Sequence, residues 1–247
     1  MRIENGYLIV ESSEIRKIKK ITGHSFVQLI GIDPFTKVGD CLLTMHGLYS
    51  EKIDEKWLKR GDFAEKVVQR VYKRDGHNIT IYDKKKINYD NFQDYLWFGG
   101  LLDIELIEEK NVIEVKSKSL KDYDYIIKNP PLHEIQQGMY YSYLRNYDKV
   151  TLEWIFFDEK TEQEIFNDLP VTSLQNLKRH TKTYDINKEF MKIKLQQALN
   201  IIKDFRENGR IALSDISDKV LKYLGFDRNE IMTDDLPFWY EYYNSAG

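Results

Sequence analysis

Over residues 54–74 the apolar positions Trp57, Ala64, Val68 and Val71 recur at helical spacing, with Gly61 on the same stripe and Gly76 just beyond. That pattern predicts an amphipathic helix ended by glycine. A second is predicted over residues 186–207, where Met191, Leu195, Ala198, Ile202 and Phe205 step by four and three before Gly209. A third follows Pro130 and Pro131 and runs to about Leu144. Elsewhere the period shortens. Residues 101–107 and 112–117 read as a hairpin around Glu108, Glu109, Lys110 and Asn111, and residues 150–157 form a strongly β-like run. A polar turn over 158–161 and another short strand near Ile165 are expected next, and 79–82 and 95–98 are also β-like. Upstream, residues 6–10 suggest a short strand and 15–19 a helix, and a turn at Gly31, Ile32, Asp33 and Pro34 opens a further helix with Asp33 as its cap. This order predicts an α/β (α+β) fold with a central mixed β-sheet flanked by α-helices.

Composition narrows the class. A chain of 247 residues, 42% hydrophobic and 31% charged, buries a large core as one elaborated domain. Its 13 glycines and 5 prolines argue against a disordered or fibrous chain. The single cysteine, Cys41, excludes a disulfide framework and any metal or cluster site built on four cysteines. No apolar run reaches membrane-spanning length and the first residues lack a signal-peptide pattern, so a cytoplasmic protein without membrane contact is expected. The net charge of −3 neither advertises nor excludes a nucleic-acid partner, since a basic cleft can sit on an acidic protein.

The strongest chemical signal lies between Gly99 and Lys116. On a strand, Glu114 and Lys116 point to one face while Ile113 and Val115 point to the other. An even-numbered hairpin loop brings Asp103 to the same face, opposite Glu114 or one step diagonal, depending on whether the loop has two or four residues. Facing carboxylates repel unless a cation lies between them, and an oxygen-rich site suits Mg²⁺ or Mn²⁺. A lysine two residues on can orient an attacking water or stabilise charge developing on a phosphate. The bland alternative is an exposed strand face with a surface ion pair, and Glu105, on Asp103's face, needs no special role. Upstream, Gly61 and Glu65 place a carboxylate on a helix beside a glycine that lets another backbone or ligand come close. Downstream, Gln136 and Tyr140 share one helical face, and Gln137 and Tyr141 have the same spacing.

The ordered set Gly61–Glu65, Gly100–Asp103, Glu114–Lys116 and Gln136–Tyr140 resembles the PD-(D/E)xK nuclease superfamily, RecB-like branch, with its restriction-endonuclease-like core. Ile21-Thr22-Gly23, the Gly31–Pro34 turn, Met45-His46-Gly47 and the Gly61 helix are similar to the opening of the lambda exonuclease/YqaJ viral recombinase family. The likeness covers about residues 7–210, so residues 1–210 are expected to form the nuclease domain and 211–247 an aromatic-rich C-terminal extension. The resemblance implies Glu65, Asp103 and Glu114 as acidic metal ligands with the Val115 carbonyl beside them, Lys116 as catalytic lysine, and Gln136 at the water or scissile phosphate with Tyr140 adjacent. It further implies Mg²⁺ or Mn²⁺ as cofactor and DNA contact through Lys17, with Arg16 adjacent, and through Thr22 and Ser25, while Lys118 and Lys121 are placed for phosphate contact just after the strand. Linear double-stranded DNA is the implied substrate, with a single-strand annealing protein and further copies of the chain as implied partners. His24 replaces the family's serine, with Ser25 one residue late, and Leu101 stands where a serine precedes the aspartate, so strict dependence on a 5′ phosphate is not implied.

His24, His46 and His77 lie at irregular spacing and are expected in turn or helix-end contacts, and Cys41 as a buried small hydrophobe. Lys84, Lys85 and Lys86 read as a loop tip, with DNA contact second. The aromatic tail from Leu236 to Tyr243 reads as packing against the domain or a partner, with base stacking as the alternative. A phage-type recombination exonuclease leads. An endonuclease of the same superfamily, for defence or replication, would carry an identical catalytic set, and a non-catalytic DNA-binding module is the reading from another class.

Overall fold

The computed structural model describes residues 1–15, 19–50, 54–172 and 177–231. They divide into two compact units, one formed by residues 20–23 and 52–193, the other by residues 1–19, 24–51 and the chain from Lys194 onward.

The first unit is built on a four-stranded mixed sheet. Strands β3 (Ile104–Leu106), β4 (Asn111–Ser119), β5 (Lys149–Phe157) and β6 (Lys178–Asp185) lie side by side in that order. The β3–β4 and β5–β6 pairs are antiparallel and β4–β5 is parallel. A parallel pair needs a crossover, and residues 120–148 supply it through α4 (Tyr123–Lys128) and α5 (Leu132–Leu144). The central strand β5 is covered on both faces, which explains its unbroken Val-Thr-Leu-Glu-Trp-Ile-Phe-Phe run.

Helix α3 (Glu55–Arg74) starts at Asp54, whose side chain accepts the Lys56 amide, and buries Ala64, Val68 and Tyr72. These pack on one face of the sheet with Ile104, Leu106, Ile113, Val115, Ile155 and Phe157, together with Ile165 of α6 (Glu159–Phe166). Helix α5 covers the other face. Its Gly138 is where it comes closest, since a Cβ there would stand 2.9 Å from Val150 Cγ2 and 3.3 Å from Glu114 Cβ.

In the second unit, β1 (Arg2–Glu4), β2 (Tyr7–Ile9) and β7 (Arg210–Ala212) form an antiparallel sheet in the order β1-β2-β7. It also holds most of α1 (Gly23–Leu29), α2 (Val38–Met45) and the C-terminal half of α7 (Lys188–Asn208), with α8 (Asp218–Tyr223). The α7 positions read from periodicity, Met191, Leu195, Ala198, Ile202 and Phe205, are all buried. Among the described residues no helix is long and apolar enough to cross a membrane.

Several local expectations change. The strand expected near Ile165 is the helix α6, capped by Asp158 accepting the Thr161 amide, so the polar turn is a helix start. Residues 79–82 and 95–98 supply only isolated bridges, Thr80 to Glu105 and Phe98 to Ile21. The helix after Pro34 begins at Val38. Asp33 instead accepts the Phe35 amide at 2.8 Å in a turn. Of the helix expected over 15–19, residues 16–18 lie outside the described residues, and Ile15 and Lys19 are not helical. Gly61 has no neighbouring atom within 4 Å of where a Cβ would stand, so no backbone approaches it. His46 sits buried at the C-terminal end of α2 with Nδ1 on the Leu42 carbonyl, His24 bonds Gln28, and Cys41 is buried, as the sequence suggested.

Candidate active site

The hairpin loop fixes the centre of the site. Leu106 pairs with Asn111, which leaves the four residues 107–110 as the loop, with Lys110 at φ +48°. Continuing the register from the Ile104–Ile113 pair puts Asp103 directly across from Glu114. Asp103 Oδ2 accepts the Val115 amide at 2.8 Å, so its carboxylate is held at the head of the strand. Glu114 is 2% exposed; its Oε1 accepts from Lys116 Nζ at 2.9 Å, while Oε2 is buried without a hydrogen-bond partner. Lys116 Nζ also donates to Gln137 Oε1 at 2.9 Å. Glu65, half-buried on α3, joins Asp103 and Glu114 electrostatically, with Lys84 Nζ 3.6 Å from its Oε2.

Three acids in a poorly hydrated place resist ionisation. Burial and then the Asp103 charge push Glu65 up to about 7, with Lys84 opposing. Burial raises Glu114 to about 8 despite Lys116, and Asp103 adds to the rise. Asp103 also titrates high from burial, although Lys116, the Val115 amide and Lys84 pull it down. Burial would lower Lys116, but the charges of Glu114 and Asp103 outweigh it and hold the ammonium above its usual value.

Among the described residues no three His, Cys, Asp or Glu side chains stand as a ready-made cage for a metal ion. The negative charge is offset by Lys116, Lys84 and the Val115 amide. The donor set nonetheless fits a hard divalent cation: three carboxylates, all raised chiefly by burial, and an unpartnered buried oxygen on Glu114. Glu65, Asp103 and Glu114 are the side chains that would hold it, with the Val115 carbonyl next to them.

Of the two equally spaced Gln and Tyr pairs, the structure brings Gln137 and Tyr141 to the acids. Gln136 points elsewhere, its Nε2 3.6 Å from Met139 Sδ and its Oε1 buried without a partner. Tyr141 is buried, feels the charges of Glu114 and Asp103, and accepts the Gly23 amide at 3.3 Å. Its ring lies where a Cβ on Gly100 would be, which is why Gly100 is needed there at φ +130°. Tyr140 ties down the neighbouring segment. Its hydroxyl donates to the Ile21 carbonyl and accepts the Gly99 amide at 3.1 Å.

The described residues among the expected DNA contacts have different surroundings. Lys118 Nζ is 2.5 Å from Glu134 Oε1, whose other oxygen accepts Trp154 Nε1 at 2.7 Å. Lys121 is exposed in the 3-10 turn after β4, Thr22 is half-buried beside the Ile21 bridge, and Ser25 is buried in α1. Arg16 and Lys17 lie outside the described residues. Two participants escaped the sequence. Arg60 stacks on Trp57, pairs with Glu162 at 2.5 Å and donates to the Ser117 carbonyl at 3.1 Å, pinning β4 just past Lys116. Glu134 lies one turn before Gln137 on α5; that spacing was the available signal.

Comparison with known structures identifies the architecture. The phage-related exonuclease of Haemophilus somnus 129PT superposes with a TM-score of 0.56 at 13% identity, covering 77% of this chain and 95% of that one. The alkaline exonuclease LHK-Exo of Laribacter hongkongensis gives 0.54 at 11% identity, covering 77% and 89%. The structure of LHK-Exo in complex with dAMP gives 0.55 at 10% identity, covering 80% and 92%. The chain therefore has the fold of the phage-type exonucleases, as the resemblance to the PD-(D/E)xK nucleases implied. By sequence it is similar to the uncharacterized protein MG373 of Mycoplasma genitalium, 28% identical over 136 residues, 50% of this chain and 48% of that protein. The Mycoplasma pneumoniae homolog of MG373 is 31% identical over 91 residues, 36% of this chain and 32% of its own length. The matches thus span less than half of either relative. No family model matches.

Proposed function

We propose that the chain is a divalent-metal-dependent deoxyribonuclease that degrades linear double-stranded DNA from its ends, of the kind used in phage recombination. The observation that carries this is the electrostatic coupling of Glu65, Asp103 and Glu114, far apart in the chain, with the buried ammonium of Lys116 hydrogen-bonded to Glu114. The exonuclease fold supports the reaction class, and the dAMP complex of LHK-Exo supports a nucleic-acid substrate.

Mg²⁺ or Mn²⁺ on these carboxylates would supply an activated water and neutralise charge on the phosphate. The chain's own groups do the rest. Lys116 Nζ donates to Glu114 and Gln137, and its third N–H serves the attacking water or the developing phosphate charge. Gln137 keeps that ammonium from turning away and offers its own amide N–H to a phosphate oxygen. Tyr141, packed closely against Gly100, is buried beside the acids. An annealing protein and further copies of the chain are the partners of this reading.

The test incubates 5′-phosphorylated, 5′-hydroxyl and covalently closed duplex DNA with Mg²⁺ or Mn²⁺. Linear duplex should be degraded by the wild type, and degradation should vanish with chelator and in Lys116→Ala. Cleavage of closed circles would replace the exonuclease by an endonuclease. No cleavage and no Mn²⁺ binding by calorimetry would leave a non-catalytic module.

A further inference from the structure

Two ammonium groups flank the acid cluster, and they are held very differently. Lys116 is largely buried and makes two 2.9 Å hydrogen bonds. Lys84 approaches Glu65 Oε2 only to 3.6 Å and Asp62 Oδ1 to 3.9 Å, and its side chain is 46% exposed. Neither distance is a hydrogen bond; both are ion pairs loose enough for water to enter. The backbone beneath it is fixed. The Asp83 side chain accepts the Lys85 amide at 3.1 Å and the Lys86 amide at 3.4 Å, and the Lys84 carbonyl accepts the Tyr89 amide at 2.8 Å. Asn88 and Tyr89 close the turn at φ +49° and +58°. A hydrogen-bonded turn thus presents a partly exposed cation beside Glu65.

Resting on the nuclease reading, we propose that Lys84 is an exchangeable counter-ion: it offsets Glu65 and Asp103 in the metal-free chain and, once a divalent cation takes Glu65, is released to a phosphate of the bound DNA strand. The physical reason is competition for one carboxylate. A divalent charge on Glu65 repels an ammonium a few ångströms away. Lysine, a compact charge on a long flexible stem, can swing from carboxylate to phosphate without moving the turn. The incoming polyanion supplies the new partner, and Lys85 and Lys86 on the same turn draw it in.

The test compares wild type, Lys84→Met and Lys85→Met in two measurements. One is calorimetric titration of the metal-free protein with Mn²⁺. The other is anisotropy of a labelled duplex over a salt series, with Ca²⁺ replacing Mg²⁺. Lys84→Met should bind Mn²⁺ about 3- to 10-fold more tightly because a competing charge is gone. It should bind duplex several-fold more weakly, with a salt slope smaller by about one. Lys85→Met should leave Mn²⁺ affinity unchanged. Unchanged or weaker Mn²⁺ binding by Lys84→Met, an unchanged DNA salt slope, or equal tightening in Lys85→Met would each overturn the proposal. If the wild type binds Mn²⁺ and cuts DNA while Lys84→Met behaves identically, the nuclease reading stands and this proposal alone falls. A wild type that does neither takes both away.

Discussion

Gln136 and Gln137 stand about 100° apart around α5, and so do Tyr140 and Tyr141, so one register faces the acids and the other does not. Gln137 Oε1 accepts a hydrogen bond from Lys116 Nζ, while the Gln136 amide lies against Met139 Sδ. Gln137→Ala should therefore lower the rate of duplex degradation about 10-fold or more, and Gln136→Ala no more than about 3-fold. The two should melt within a few degrees of each other. The tyrosines predict a complementary split. Tyr140→Phe removes the hydroxyl that joins Ile21 to Gly99, a loss of about 1–3 kcal/mol seen in denaturant unfolding, with activity per folded molecule preserved. Rates falling with Gln136→Ala instead of Gln137→Ala would reverse the register. This ambiguity shows where sequence reasoning stops. Spacing identifies a Gln and a Tyr one turn apart, but two consecutive residues of each type give the same spacing twice. What decides between them is the rotation of α5 on the sheet, a tertiary quantity. Strand alternation, by contrast, is strictly local, which is why Glu114, Lys116 and, given an even loop, Asp103 were legible on one face.

The rotation of α5 is set at Gly138. A methyl there would press Val150 Cγ2 at 2.9 Å and Glu114 Cβ at 3.3 Å, both on the neighbouring strands of the sheet. Gly138→Ala gains up to about 1 kcal/mol of helix propensity but forces overpacking worth about 1–3 kcal/mol. Net destabilisation is expected. The larger effect should fall on catalysis, because lifting α5 parts Gln137 from Lys116 and bares Glu114; thermal melts read alongside turnover check that ordering. Arg60 sets the other side, tying α3 and α6 to the end of β4. Arg60→Ala should lower activity and weaken the packing of α6 together. The long helices were legible because each buries one continuous stripe. Two shorter elements were not. In α6 only Thr161, Glu164 and Ile165 are buried, too few for a visible period. Strand β6 carries Lys, Arg and Thr on the sheet's edge, and Arg179 and Thr181 serve the buried Glu153 rather than an apolar core. Its sequence, half exposed and largely polar, has no hydrophobic alternation to read.

At the scale of the whole molecule, the acid cluster links folding to pH and to metal. Glu65 titrates near 7 and Glu114 near 8 in the folded chain, against 4.5 for an ordinary glutamate. The folded state therefore binds more protons than the unfolded state between about pH 4.5 and 8, and stability must fall as pH rises through that window. The metal-free protein should melt higher near pH 5 than at pH 9, the difference falling across the window in which the two carboxyls lose their protons. Metal reverses the slope. Mg²⁺ or Mn²⁺ binds the ionised carboxylates, so millimolar metal should raise the melting temperature most at the alkaline end and little near pH 5. Binding near pH 7 should release protons, seen as a calorimetric heat that depends on the buffer's ionisation enthalpy. Glu114→Gln should flatten the metal-free pH dependence and abolish most of the metal effect. A metal-free melting temperature that stays level or climbs from pH 5 to 9 would show that these carboxylates are not held together against their own charge, and would remove the ground for placing a cation among them.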